Sequence, residues 1–315
     1  MYDRGGYWVE RLSGRGNPYR IWVPAMPLID DVYLKCVVYL YPTRTAAEKG
    51  ARAGGSGFLF GLPVRGYEEK FIMLVVTNRH VIKKNASTTI RINTKDDELD
   101  YFTVAKQHWI PHESADIAIT ALEVERDKYH NIFVMPRDLL DKKTMKINKI
   151  GPGDDCFMVG RFINHEGIQK NTPSVRFGNI AQMPGETIPI EDGPDQEAFL
   201  VEGRSVPGYS GSPVFVEIRP FSHGAREINS SSQGGPWLLG IDFCHLNVVE
   251  QVFRKSRKGG ERDQAISTIY VRGNSGMMGV IPAWKLKEMF DYPDIESIME
   301  RAIEEIDEES LASLD

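Results

Sequence analysis

The chain has 315 residues, 41% of them hydrophobic and 26% charged, enough for one large core or two smaller ones. Its net charge of −6 gives no support to nucleic-acid binding, and the basic run Arg254-Lys255-Ser256-Arg257-Lys258, followed by two glycines, reads as a solvated loop. The three cysteines, Cys36, Cys156 and Cys244, are too few and too odd in number for a disulfide framework, and no stretch has the length of a membrane span or the apolar run of a signal peptide, so the expectation is a cytoplasmic protein with free thiols and no membrane partner.

Residues 1–34 lack clear periodicity and carry Tyr2, Tyr7, Trp8, Tyr19 and Trp22. That aromatic load exceeds what a merely solvated tail carries, so these residues read as an arm ordered against the domain, a second copy or a protein partner. Short β-branched and aromatic runs then follow one another between turn residues: 32–41, 57–62, 71–77, 88–92, 101–104 and 117–122. The polar stretch 126–149 separates them from a second set at 155–159, 174–181, 198–201, 214–218, 237–243, 268–271 and 277–281. Many short strands without strand–helix alternation predict an all-β sandwich or barrel architecture in two halves, 35–135 and 136–284. Residues 222–236 read as a surface loop. Across 285–315, Ile295, Ile298, Met299, Ala302, Ile303 and Ile306 recur at helical spacing, which predicts an amphipathic helix running into an acidic tail.

The segment most telling for chemistry is Pro207-Gly208-Tyr209-Ser210-Gly211-Ser212-Pro213. Two glycines around a serine in a Pro-bounded turn can present a hydroxyl while aiming backbone N–H groups at one point, as a nucleophile beside an oxyanion hole requires. The same pattern also fits an ordinary turn. A serine nucleophile needs a base, and His80 follows the apolar strand ending Val75-Val76-Thr77-Asn78-Arg79. The base needs an orienting carboxylate, and Asp116 opens the apolar run Ile117-Ala118-Ile119. Singly, each residue also fits a structural role. Together they fall in the order His, Asp, Ser, two in the first half and one in the second, which puts a site in the crevice between halves. His108 and His112 are four residues apart, but Pro111 between them argues against one helical face and a metal site.

These motifs resemble, in order, those of trypsin-like peptidases of the chymotrypsin clan, and most closely the HtrA (Deg)-type protease domain. The resemblance covers roughly residues 35–285. It is carried by Gly54-Gly55-Ser56-Gly57-Phe58-Leu59, Thr77-Asn78-Arg79-His80-Val81, Ala115-Asp116-Ile117-Ala118, the strand from Gly153 to Gly160, the nucleophile turn, Leu239-Gly240-Ile241 and Gly279-Val280-Ile281-Pro282. It implies two antiparallel six-stranded β-barrels, followed here by a C-terminal helix and no PDZ domain. It also implies a serine endopeptidase in which Ser210 attacks the scissile carbonyl, His80 moves the proton, Asp116 orients His80, and the N–H groups of Gly208 and Ser210 hold the oxyanion, with no cofactor and no metal. Tyr209 departs from the family's Asn or Asp, and Ser212 from its second Gly. Arg204, Phe243 and His245 fall where the family builds its specificity pocket, Arg204 or His245 then favouring an acidic residue before the cleaved bond. The expected partners are a polypeptide substrate and a regulatory protein or second copy acting through the arm. The alternatives are a catalytically silent binding or regulatory module of the same fold, and an esterase using the same triad.

Overall fold

A computed structural model describes residues 6–12, 18–24, 29–84, 86–130, 132–189, 194–203, 205–217, 235–254 and 264–312. The first described elements are β1 (Gly6–Leu12) and β2 (Pro18–Pro24), which among the described residues pair with each other alone as an antiparallel two-stranded sheet. The run at 32–41 divides in two. Asp30 caps a short helix, α1 (Asp31–Lys35), by accepting from the Val32 N–H at 3.1 Å, and only then does β3 (Val37–Tyr41) begin. Next come α2 (Arg44–Glu48), β4 (Gly55–Pro63), β5 (Phe71–Thr77), α3 (Arg79–Lys83), β6 (Thr89–Asn93), β7 (Leu99–Thr103), β8 (Ile110–Pro111) and β9 (Ala118–Ala121). These strands form a seven-stranded sheet in the order β7-β6-β3-β4-β5-β9-β8, with all pairs antiparallel. It has one strand more than the resemblance implied, because the two-residue β8 pairs on β9, and no pairing of β7 with β8 closes it.

The polar stretch between the halves holds α4 (Lys142–Ile147). The second half contains β10 (Asp155–Gly160), β11 (Ser174–Gln182), β12 (Phe199–Glu202), β13 (Pro213–Glu217), β14 (Trp237–Arg254) and β15 (Gln264–Pro282). They close a six-stranded antiparallel barrel in the order β10-β11-β12-β15-β14-β13. The two runs at 268–271 and 277–281 are one strand, β15, and β14 is far longer than its apolar run. The excess of both is an antiparallel ribbon from Val248↔Gly273 to Arg254↔Gln264, with Val249, Ile269, Tyr270 and Val271 exposed. The chain then forms α5 (Ala283–Glu288) and α6 (Pro293–Ala312). The predicted loop 222–236 lies outside the described residues except for its last two positions, as does most of the basic run after Arg254.

The strands read as continuous apolar runs because most bury both faces. On β3, Val38 and Leu40 face a core inside the first sheet, and Val37, Tyr39 and Tyr41 face a second core shared by the two halves. On β10, Cys156 and Met158 fill the closed barrel, and Phe157 and Val159 turn to the shared core. Helix α6 lays Ile295 and Met299 into that same core, where Tyr33, Phe157 and Phe215 make edge and stacked ring contacts.

The interface also buries charge. Arg161, directly after β10, is fully buried and pairs with Glu166, while its guanidinium donates to the carbonyls of Ala53 (2.8 Å) and Ala51 (2.5 Å) and lies 4.1 Å from the Tyr41 ring centre. Tyr41 donates to Glu166 Oε1 at 2.8 Å. Every charge here has a partner, the condition under which such a cluster is tolerated. It joins the residue after a second-half strand to the first half.

Candidate active site

His80 follows β5 by three residues and stands in the first turn of α3. Asn78 occupies the N-cap of α3, yet its side chain does not cap the helix; its Nδ2 donates to the Asp116 carbonyl at 2.9 Å. The Arg79 N–H reaches the same carbonyl at 3.3 Å. Asp116 lies in the turn between β8 and β9. Its carboxylate takes two bonds from one residue: Oδ1 accepts from the His80 backbone N–H at 2.8 Å, and Oδ2 is 2.5 Å from His80 Nδ1. With a carboxylate at Nδ1 the imidazole proton is held there, and Nε2 is left as the acceptor nitrogen. Asp116 is buried and the His80 ring is partly exposed.

The Asp116 turn has supports that were not apparent from the sequence. His112 Nδ1 accepts from the N–H groups of Ser114 (3.1 Å) and Ala115 (2.9 Å), and its Nε2 faces Glu288 of α5 at 3.2 Å. Burial pushes the pKa of His112 below the ordinary histidine value, which keeps the ring neutral and Nδ1 an acceptor. Gln196, from the second half, accepts from the Asp116 N–H at 2.9 Å and donates to the Ser114 carbonyl at 3.2 Å.

Ser210 comes from the other half, in the turn before β13. Gly208 and Gly211 have φ of +104° and +91°, which side chains disfavour. Gly211 also has no room for one: a Cβ would fall 2.0 Å from the Ser56 carbonyl oxygen. The turn is pinned by Ser56 N–H to the Ser210 carbonyl (2.8 Å), and by Gly211 N–H to the Asp242 carbonyl (2.8 Å). At Gly55 of β4, the Ser210 carbonyl and Val81, the residue after His80, converge: a Cβ there would meet them at 2.8 and 2.9 Å. The Ser210 turn thus abuts the strand and helix that carry His80. The N–H groups of Gly208 and Ser210 donate to no described residue, and no hydrogen bond joins the Ser210 hydroxyl to His80 among the described residues.

The two departures in the turn face away from the site. Tyr209 is buried in the closed barrel, with its hydroxyl bonded to Ser174 and the Arg176 guanidinium 4.8 Å from its ring centre. The Ser212 hydroxyl is buried without a partner and occupies the space a Cβ on Gly160 would need. Of the candidate pocket residues, Phe243 is buried in the shared core against Gly279, His245 is half-buried on β14, and Arg204 lies outside the described residues.

Asp242 was not singled out by its sequence. It is fully buried behind the turn, accepts from the Ser205 hydroxyl at 2.7 Å through Oδ2, and leaves Oδ1 without a partner. Desolvation raises its pKa to about 7, with His80 near enough to oppose the shift. Cys244, two residues on, has its thiol pushed up to about 12, chiefly by burial, so it is no thiolate nucleophile at neutral pH. No cluster of three or more metal-ligating side chains occurs among the described residues.

A profile of the trypsin-like peptidase domain matches residues 55–217, which include His80, Asp116 and Ser210. No curated protein sequence matches the chain. Among solved structures, the MamO protease domain from Magnetospirillum magneticum is 15% identical with a TM-score of 0.47, over 83% of this chain and 98% of that one. Deg5 is 18% identical with a TM-score of 0.40, over 67% and 80%. The active form of the Rv3671c protease from M. tuberculosis is 14% identical with a TM-score of 0.44, over 82% and 80%. These likenesses are weak, and the assignment rests on the domain match across just over half the chain: this protein belongs to the trypsin-like peptidase domain family.

Proposed function

We propose that the chain is a serine endopeptidase with Ser210 as nucleophile, His80 as general base and acid, and Asp116 as the group that orients the imidazole. The observation that carries this reading is the double hold of Asp116 on His80, at 2.8 Å to its N–H and 2.5 Å to Nδ1. A carboxylate with a purely structural role has no need to select the ring tautomer. Ser210 Oγ would bond to the scissile carbonyl carbon as its proton passes to His80 Nε2, and the oxyanion would lie on the Gly208 and Ser210 N–H groups. Collapse would break the C–N bond, with the His80 proton going to the leaving amine. Water, deprotonated by His80, would then cleave the acyl ester and restore Ser210.

The missing hydrogen bond between the Ser210 hydroxyl and His80 favours a second reading, a silent member of the fold that binds without cleaving. Unliganded sites are commonly loose at this contact, which keeps the hydrolytic reading first. A fluorophosphonate probe on the intact protein separates the two. Labelling at Ser210, with cleavage of a peptide library by the parent and none by Ser210→Ala, is expected. A folded parent that is neither labelled nor active would leave the binding module. Comparison of peptide with ester substrates tests the esterase alternative.

A further inference from the structure

Ser56 engages all of its hydrogen-bonding groups at the junction of the two halves. Its N–H donates to the Ser210 carbonyl (2.8 Å) and its carbonyl accepts from Thr77 Oγ1 (2.7 Å). Its hydroxyl donates to the Gly208 carbonyl (2.8 Å) and accepts from the Arg161 N–H (2.9 Å). The side chain is fully buried. Three of the four partners belong to the second half, and the fourth, Thr77, ends the strand leading to His80.

From this arrangement we infer that Ser56 is a positioning residue for the oxyanion turn, an inference that rests on the hydrolytic reading above. The two N–H groups that would hold the oxyanion belong to Gly208 and Ser210, and Ser56 binds the carbonyls of those same two residues. Glycine at 208, with φ +104°, lacks the side-chain restriction of other residues, and with its carbonyl released its peptide to Tyr209 would keep only the 3.2 Å bond from the Tyr209 N–H to the Val206 carbonyl. Fixing the carbonyls at 208 and 210 limits the torsions through which the N–H groups of those residues could turn away. Preorganised donors act on the developing charge without rearranging, so the setting of the turn is itself a catalytic quantity. The Ser56 hydroxyl also ties Gly208 to the Arg161 backbone, and so couples the turn to the buried Arg161–Glu166 pair.

A merely structural serine would stabilise the junction and do nothing else. Ser56→Ala separates the two roles when rates are normalised to sites titrated with a fluorophosphonate. Outright loss of one oxyanion donor costs about 10²–10³ in kcat; Ser56→Ala removes only the hydroxyl bonds to the Gly208 carbonyl and the Arg161 N–H and keeps the Ser56 N–H on Ser210, so it is expected to lower kcat by roughly 10-fold per titrated site. KM should stay within about twofold, the affinity for a peptide aldehyde should fall in parallel with kcat, and the pH profile should keep its shape because the His80–Asp116 pair is untouched. Ser56→Cys, close in size and a weak donor, should recover part of the rate, and it serves if Ser56→Ala does not fold. A kcat per site within about threefold of the parent in the folded variant would overturn the inference, whatever the loss of thermal stability. A parent that does not react at Ser210 would instead overturn the hydrolytic reading and this inference with it.

Discussion

The two halves of the site are built differently. His80 and Asp116 are both supplied by the seven-stranded sheet, at the adjacent ends of paired strands β5 and β9, and four hydrogen bonds link the 78–80 segment to Asp116. Ser210 belongs to the closed barrel, but its turn is held from outside by Ser56 of the first sheet. The His80–Asp116 pair is a product of local strand pairing with one buttress, Gln196, from across the crevice. The Ser210 turn is held by its own barrel, through the Gly211 N–H on the Asp242 carbonyl and the buried Tyr209, and by the interface through Ser56. Damage to the interface should therefore reach the Ser210 turn before it reaches the His80–Asp116 pair.

The largest expected effect tests the first side of this contrast. Asp116→Asn keeps the size of the side chain but reverses the tautomer preference of His80. Peptide hydrolysis should fall by about 10⁴ in kcat, while fold and melting temperature change little by comparison. An equal collapse of stability would show that Asp116 is chiefly structural and break the contrast. Next comes the interface. Glu166→Gln leaves the buried Arg161 guanidinium without its counter-charge, and urea denaturation should show a loss of about 3–5 kcal/mol. The contrast sharpens if fluorophosphonate labelling of Ser210 slows in this variant while the Nδ1 proton of His80 stays hydrogen-bonded by NMR.

The smallest effect concerns Asp242 behind the turn. In the folded chain its carboxyl keeps the proton up to about pH 7, whereas the unfolded chain releases it near 3.8. The unfolded state thus binds fewer protons between those values, and this group's contribution to stability falls as pH rises, by about 3 kcal/mol from pH 4 to pH 7. Asp242→Asn should abolish that part of the slope. Denaturation curves of parent and variant that stay parallel across this window would mean that Asp242 is ionised in the folded state.

Most of the strands could be read from the sequence, because both faces of each are covered and their apolar runs stand out between turns. The failures have separate causes. The 32–41 run hides a helix because one Asp30 cap outweighs the propensity of Val32 and Tyr33 for strand. β14 and β15 exceed their apolar runs because their outer parts satisfy backbone groups by pairing with each other rather than by burial. Within the site, His80 and Asp116 were visible because each borders an apolar strand, and Ser210 because two glycines and two prolines mark its turn. Ser56 and Gln196 were not picked out as working parts, since an isolated Ser or Gln carries no periodic signal and acquires meaning only through its partners.

The sequence by itself determined the local chemistry: which turn can present a hydroxyl, which segments must be strands, and which helix is amphipathic. Only the tertiary structure decided how these pieces act on one another. It placed Ser56, 152 residues before Gly208, within 2.8 Å of that carbonyl, and it turned Tyr209 inward to the barrel core. The reason is physical. Propensity and periodicity act within a few residues, whereas hydrogen bonds and desolvation act between whatever the packed halves bring together.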